Sequence, residues 1–303
     1  MIRNLQPLDL LQMPLWRGGR VCERSFSLER MGRAGAPGPL PSIVRGQLAP
    51  RRRSFILVAE GDGGVVGIAE AQPRWGPRAW EISHLWAAVD AGGEVPDLLE
   101  QAALSAAGHG AQRVFLRLAS DTPLLSDALR AGFRGAWQET LYARDQGPLP
   151  GRAEMSQQAV RPRCDADDLP LFRLYCATAP ASVRSAVGMT MDEWRDAQTP
   201  GLQGLRRWVY DHEGDVKGSA EQWTHGDVRS AVVRGREEAL PRLLGRALSS
   251  RSSRRARVLA PDYLASLHRV LESSGFVAEG RYVVLVRSVT APVREVAFVP
   301  ASV

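Results

Sequence analysis

At 303 residues, 44% apolar and 24% charged, the chain has the composition of a soluble globular protein and about twice the length of the commonest domain. No apolar run approaches the ~20 residues of a membrane span, and the opening Met1-Ile2-Arg3-Asn4-Leu5-Gln6-Pro7 lacks a signal-peptide core. A cytoplasmic protein without membrane contact is expected. Net charge is +6 and the pI is 9.8; yet only Lys217 among the 39 basic residues is a lysine, so much of the arginine is compositional bias and a nucleic-acid partner is not expected.

Three cysteines, Cys22, Cys164 and Cys176, and five scattered histidines show no metal-ligand spacing, so no metal is expected. Cys164 and Cys176 sit near one predicted helix and should bury as small hydrophobes.

In chain order, 30–53 reads as a long loop or short irregular helices. Strands follow over 54–60, 65–72 and 80–89, then a helix over 95–108, a strand over 113–119, a helix over 122–131 and a strand over 137–144. The order then recurs: strands over 206–212, 215–224 and 227–233, a helix over 239–250, a strand over 257–260, a helix over 262–274 and a strand over 280–289. Residues 290–303 form a short Pro-containing tail. Hairpin strands followed by strand–helix–strand–helix–strand argue for a mixed α/β sheet with helices packed on it.

The recurrence extends to individual residues. Val58, Gly63, Gly67, Ala69 and Glu70 meet Val209, Gly214, Gly218, Ala220 and Glu221 without a gap. Gly132-Phe133 and Gly275-Phe276 each close an amphipathic run, where glycine suits a left-handed helix cap. The openings agree too: Ile2-Arg3 with Asp9 and Leu11 resemble Val160-Arg161 with Asp167 and Leu169. Two domains are therefore expected, 1–145 and 158–303, joined by a linker over 146–157 that begins with a Gly/Pro stretch.

This element order, with its Gly-turn hairpin and its helix-closing Gly-Phe (Ala128 to Phe133, Leu271 to Phe276), resembles the GNAT superfamily of N-acetyltransferases, present twice in tandem. The resemblance implies two GNAT-like acyl-CoA N-acyltransferase domains with acetyl-CoA as co-substrate. It lies in a V-shaped opening between the fourth and fifth strands, its pyrophosphate on main-chain N–H groups at the start of the next helix. An acceptor amine, on a small molecule or a peptide, then attacks the thioester directly.

Carried onto this chain, the resemblance puts the cofactor on Ala87, Ala88, Val89, Gly92, Gly93 and Val95 of the first half. Gly92 and Gly93 would allow close backbone approach, although the family's arginine is absent and Asp90 and Glu94 face the anion. In the second half only Gly235 remains, among Arg234, Arg236 and Arg242. The family's tyrosine acid falls on Ala128 and Leu271, so neither half keeps it, and Tyr142 and Tyr282 should pack.

The expected base is Glu81 or Glu70, the latter repeated as Glu221. Glu81 and His84 point to opposite faces of a regular strand, so only a bulge brings both to the cleft. The leading reading is an N-acetyltransferase. The alternative is a catalytically inactive tandem fold that binds a ligand or partner, favoured by the missing acid and eroded phosphate loops. A third reading, nucleic-acid binding through the eight arginines from Arg234 to Arg257, lacks the interleaved aromatics of single-strand binders.

Overall fold

A computed structural model describes residues 1–6, 9, 21–23, 25–28, 30–32, 54–61, 64–88, 93–145, 159–199, 201–202, 204–249 and 255–290. The first half runs β1 (Ile2–Asn4), β2 (Val21–Glu23), β3 (Phe55–Gly61), β4 (Gly64–Pro73), β5 (Ala79–Ala88), α1 (Glu94–Gly108), β6 (Arg113–Ala119), α2 (Leu124–Arg130) and β7 (Arg134–Asp145). The second runs β8 (Val160–Pro162), α3 (Asp168–Thr178), α4 (Ala181–Val187), α5 (Met191–Asp196), β9 (Arg206–His212), β10 (Asp215–His225), β11 (Val228–Gly235), α6 (Leu240–Leu248), β12 (Arg255–Pro261), α7 (Ala265–Ser273) and β13 (Val277–Ser288). The elements expected over 54–144 and 206–289 are present within a few residues of their expected ends. The expected linker and most of the 30–53 loop and of the tail lie outside the described residues.

Local sequence explains the elements. In α1, Val95, Leu98, Leu99, Ala102, Ala103 and Ala106 form a buried stripe at helical spacing. Both Gly-Phe pairs close their helices identically: Gly132 (φ 80°) and Gly275 (φ 78°) are left-handed, and Phe133 N and Phe276 N donate to Ala128 O and Leu271 O. That is the Schellman arrangement, and it drives both phenylalanines into the core.

All strands share one 13-stranded sheet, ordered β1-β3-β4-β5-β6-β13-β7-β12-β11-β10-β9-β8, with β2 beside β5. The halves exchange their last strands. β13 pairs β6 of the first half, β7 pairs β12 of the second, and β7 and β13 pair with each other at the centre. The repeat seen in the sequence is thus a repeat of elements within one continuous sheet.

One face packs on α1, α2, α6 and α7 in two apolar clusters. The opposite face is covered crosswise. Ala186, Val187 and Ala197, from α4 and the end of α5, pack on Ala79 and Phe115 of the first half, and Leu28 and Met31 pack on Trp223, Val232 and Leu259 of the second. One cysteine expectation needs correcting. Cys164 is exposed and Cys176 half-buried, because Cys164 precedes α3 with its N–H on the Asp167 carboxylate.

Candidate active site

In each half a parallel strand pair parts into a V. In the first, β5 and β6 pair only from Ala79↔Arg113 to Glu81↔Phe115. The chain itself fills the gap beyond. β2 lies antiparallel along β5, Val21 against Ala88 and Cys22 against Ala87. Ser25 bridges to Leu118 of β6 and accepts a 2.9 Å hydrogen bond from Leu85 N, and Phe26 N donates to Arg117 O.

In the second half β11 and β12 pair from Val228↔Arg255 to Val232↔Leu259. Beyond that point Arg234, Gly235, Tyr263 and Leu264 border a cavity of about 90 Å³. Arg74, Phe115 and Trp137 reach it from the first half, and Leu174, Tyr175 and Trp194 line it from α3 and α5. The expected second-half loop is shaped by close packing. Gly235 (φ 153°) lies so near β10 that a Cβ would stand 2.6 Å from Gly218 Cα and 2.7 Å from Lys217 O.

Among the described residues, one carboxylate lines the cavity, Glu221 from the middle of β10. Its partners are Arg207 Nε at 3.0 Å and the Thr199 hydroxyl. Burial pushes this carboxyl up, but Arg234, Arg207 and Thr199 outweigh it and hold it below the usual range. Burial pushes the Tyr263 phenol up to about 12, so it is protonated at neutral pH. Arg74 is a buried cation with little compensation. Its Nε has no partner, its nearest carboxylate is Glu81 at 3.9 Å, and it lies over the Phe115 ring at 4.7 Å. Burial, then Arg117 and Arg234, lower its pKa against the opposing pull of Glu81.

No protein-family model matches the chain, and no curated protein matches it either. Solved structures do. A GCN5-related N-acetyltransferase from Sphaerobacter thermophilus aligns over 95% of both chains with a TM-score of 0.57 at 14% identity. A tandem GNAT protein from the clavulanic acid biosynthesis pathway aligns over 95% of this chain and 98% of its own, with a TM-score of 0.52 at 15% identity. A putative acetyltransferase from Pyrococcus horikoshii covers 96% and 90%, with a TM-score of 0.53 at 11% identity. This chain has the tandem GNAT fold.

Against that GNAT frame the expected cofactor residues are not free to serve. Ala87 pairs with Gly67 of β4 on one side and Cys22 of β2 on the other, and Ala88 pairs with Val21 of β2, so β2 lies along the edge expected for the cofactor. Val95 is buried in the core under α1. Gly93 opens α1 with no side-chain cap and open space around it, but Glu94 and Asp97 occupy the first turn. Val89 and Gly92 lie outside the described residues.

Glu70 and Glu81 do come together. Glu70 faces His84 and Gln72 faces Glu81, with a register shift between the pairs, so Ser83 is the extra residue of a β-bulge. That resets the alternation and brings Glu81 and His84 to one face, buried beside Glu70 and Gln72. Neither glutamate borders the cavity; Glu221, the repeat equivalent of Glu70, does.

The places of the GNAT tyrosine acid, Ala128 and Leu271, are fully buried in the cores. Tyr142 packs there as well, donating to Glu272 at 3.0 Å, and Tyr282 stacks on Phe26. Sequence reasoning missed Tyr263 and Arg74. Both stand just past strand ends, at the mouth of a cavity that only the strand exchange assembles. The arginine run is dispersed: Arg234 borders the cavity, Arg242 and Arg246 lie over Tyr210 and Trp208, and Arg255 and Arg257 pair with Glu279. Arg251 and Arg254 lie outside the described residues.

Proposed function

We propose that the chain is an acyl-CoA-dependent N-acyltransferase, with acetyl as the transferred group, and that transfer takes place in the V of the second half. The observation that carries this reading is the contrast between the two clefts: one filled by β2 and Ser25, the other left as a cavity with Glu221 and Tyr263 at its wall.

Acetyl-coenzyme A would supply an acyl thioester: the ammonium loses one proton, the neutral nitrogen would bond to the carbonyl carbon as the C–S bond breaks, and a second N–H proton would replace the one that Tyr263 gives to sulfur, leaving amide, thiol and one released proton. The protein's own share is positioning and proton handling. Glu221, ionised and fixed by Arg207 and Thr199, accepts a hydrogen bond from the incoming amine and orients it. Tyr263, protonated because it is buried, donates toward the departing sulfur. The apolar wall of Phe115, Leu174 and Trp194 keeps water from the thioester. At the phosphate end, the main chain around Gly235 and the side chains of Arg236 and Arg242 are the groups available.

One feature favours the non-catalytic alternative. The turn entering α6 carries Glu237 and Glu238, as α1 carries Glu94 and Asp97, and acids at a helix start oppose a phosphate. Coenzyme A release measured over a broad amine panel separates the readings. We expect turnover that falls roughly 10²-fold in Tyr263→Phe, with coenzyme A affinity retained. Binding without transfer to any amine would favour the ligand-binding alternative, and an unchanged rate in Tyr263→Phe would remove the proposed acid.

A further inference from the structure

The cavity's charge speaks to the acceptor. Its charged wall is Arg74, Arg163, Arg234 and Glu221. Glu221 is already answered by Arg207, and Arg163 by Asp168 at 2.7 Å. Arg74 and Arg234 are different. Arg74 has an unpartnered Nε on a side chain only 10% exposed, with its nearest carboxylate at 3.9 Å. Arg234 forms no ion pair among the described residues, and its charge is felt by Glu221, Tyr263 and Arg74 alike. Among the described residues Arg234 has no hydrogen-bonded anion and Arg74 has only Glu81, at 3.9 Å, so both have donors left for a ligand, and a guanidinium presents a planar fork of donors that fits a carboxylate.

A plain ammonium would enter this cavity beside two guanidiniums that lack a hydrogen-bonded anion among the described residues. We infer that the acceptor is an amine carrying its own carboxylate, a compact amino-acid-like zwitterion, with Arg234 and Arg74 gripping the carboxylate while the nitrogen lies toward Glu221. This rests on the acyltransferase reading and narrows it. Polyamines and basic peptide side chains, which bring only positive charge, are disfavoured. The same guanidiniums favour the chemistry, because neighbouring positive charge lowers the pKa of an ammonium and yields the neutral nucleophile. The released proton goes to solvent. Glu221, held ionised, is then needed for orientation more than as a strong base.

The test uses three molecules with one apolar body: L-valine, its decarboxylated analogue 2-methylpropylamine, and 3-methylbutanoate, which has the carboxylate and no amine. On the full chain with acetyl-coenzyme A, the expected kcat/KM for valine exceeds that for 2-methylpropylamine by roughly tenfold or more. Arg234→Gln should remove most of that preference, seen as a rise in KM for valine larger than any rise for the amine. Arg234 is half-buried and is the primary variant; Arg74→Gln, more deeply buried, is read only if its thermal unfolding matches the wild type. Calorimetric binding of 3-methylbutanoate, present in the wild type and lost in Arg234→Gln, reports the anion grip without any transfer. Binding of that carboxylate with no transfer to either amine would sustain the grip and overturn the acyltransferase reading. Equal or better use of 2-methylpropylamine, or carboxylate binding undiminished in Arg234→Gln, would overturn the inference.

Discussion

Arg117 on β6 and Glu139 on β7 meet at 2.7 Å although β13 runs between their strands. The ion pair therefore spans the exchanged strand. Both side chains are buried, 9% and 5% exposed, and Glu139 also accepts from Trp137 Nε1 at 2.9 Å. Replacing Glu139 with leucine strands a buried guanidinium, and we expect a loss of about 3–5 kcal/mol. Arg117→Met with Glu139→Leu should recover most of it. Denaturant unfolding of the single and double variants measures this; a single variant as stable as the wild type would contradict it.

The exchange makes the halves interdependent. Residues 1–145 alone leave β6 without β13 and β7 without β12, exposing unpaired edges at the centre of the sheet. We expect each half expressed alone, 1–145 or 158–303, to be insoluble or unfolded, and co-expression to restore a soluble pair. The intact chain should unfold in one transition. Cooperative unfolding of either half by itself would count against the exchange.

Gly93 and Gly235 lie in corresponding strand-to-helix connections under different constraints. A Cβ at Gly93 meets nothing within 4 Å, whereas at Gly235 it collides with the backbone of Lys217 and Gly218. Gly235→Ala should cost about 2 kcal/mol or more and Gly93→Ala close to nothing. Thermal melts of the pair decide it, and equal costs would show that the second loop is not packed as described.

Asp9 and Asp167 are a second matched pair. Arg3 holds the Asp9 carboxylate with two hydrogen bonds of 2.7 Å, and Arg161 holds Asp167 with bonds of 2.9 and 2.7 Å. Each aspartate also caps a main-chain N–H, of Gln6 or Cys164, and these contacts, led by the arginine, put both carboxyls below their ordinary range. Depressed folded pKa values stabilise the fold above the unfolded carboxylate value near 3.9, and that stabilisation disappears as pH falls through the folded values. With Arg161 39% exposed, Asp167→Asn should cost about 1 kcal/mol at neutral pH and nothing in strong acid. A variant gap independent of pH would show that the ion pair contributes nothing.

That matched pair was partly legible in the sequence: the two openings align residue by residue. So were the hairpins and both Gly-Phe caps, because period, turn chemistry and capping are local. What was not legible is which strand each terminal strand joins. β7 and β13 have the pattern of a final strand whichever half they complete, and only their neighbours tell them apart. The site followed from that. Glu221 was visible as the repeat of Glu70, but its role depends on Arg74 arriving from the other half and on β2 closing the first cleft. The short strands β1, β2 and β8, three residues each, have too little pattern to be read at all.

Amide hydrogen exchange with and without acetyl-coenzyme A reads directly whether the co-substrate sits in the second V. The account predicts added protection over 233–242 and 260–266, with 85–99 unchanged because β2 already occupies that edge. Protection confined to 85–99 would contradict it and return the cofactor to the first half.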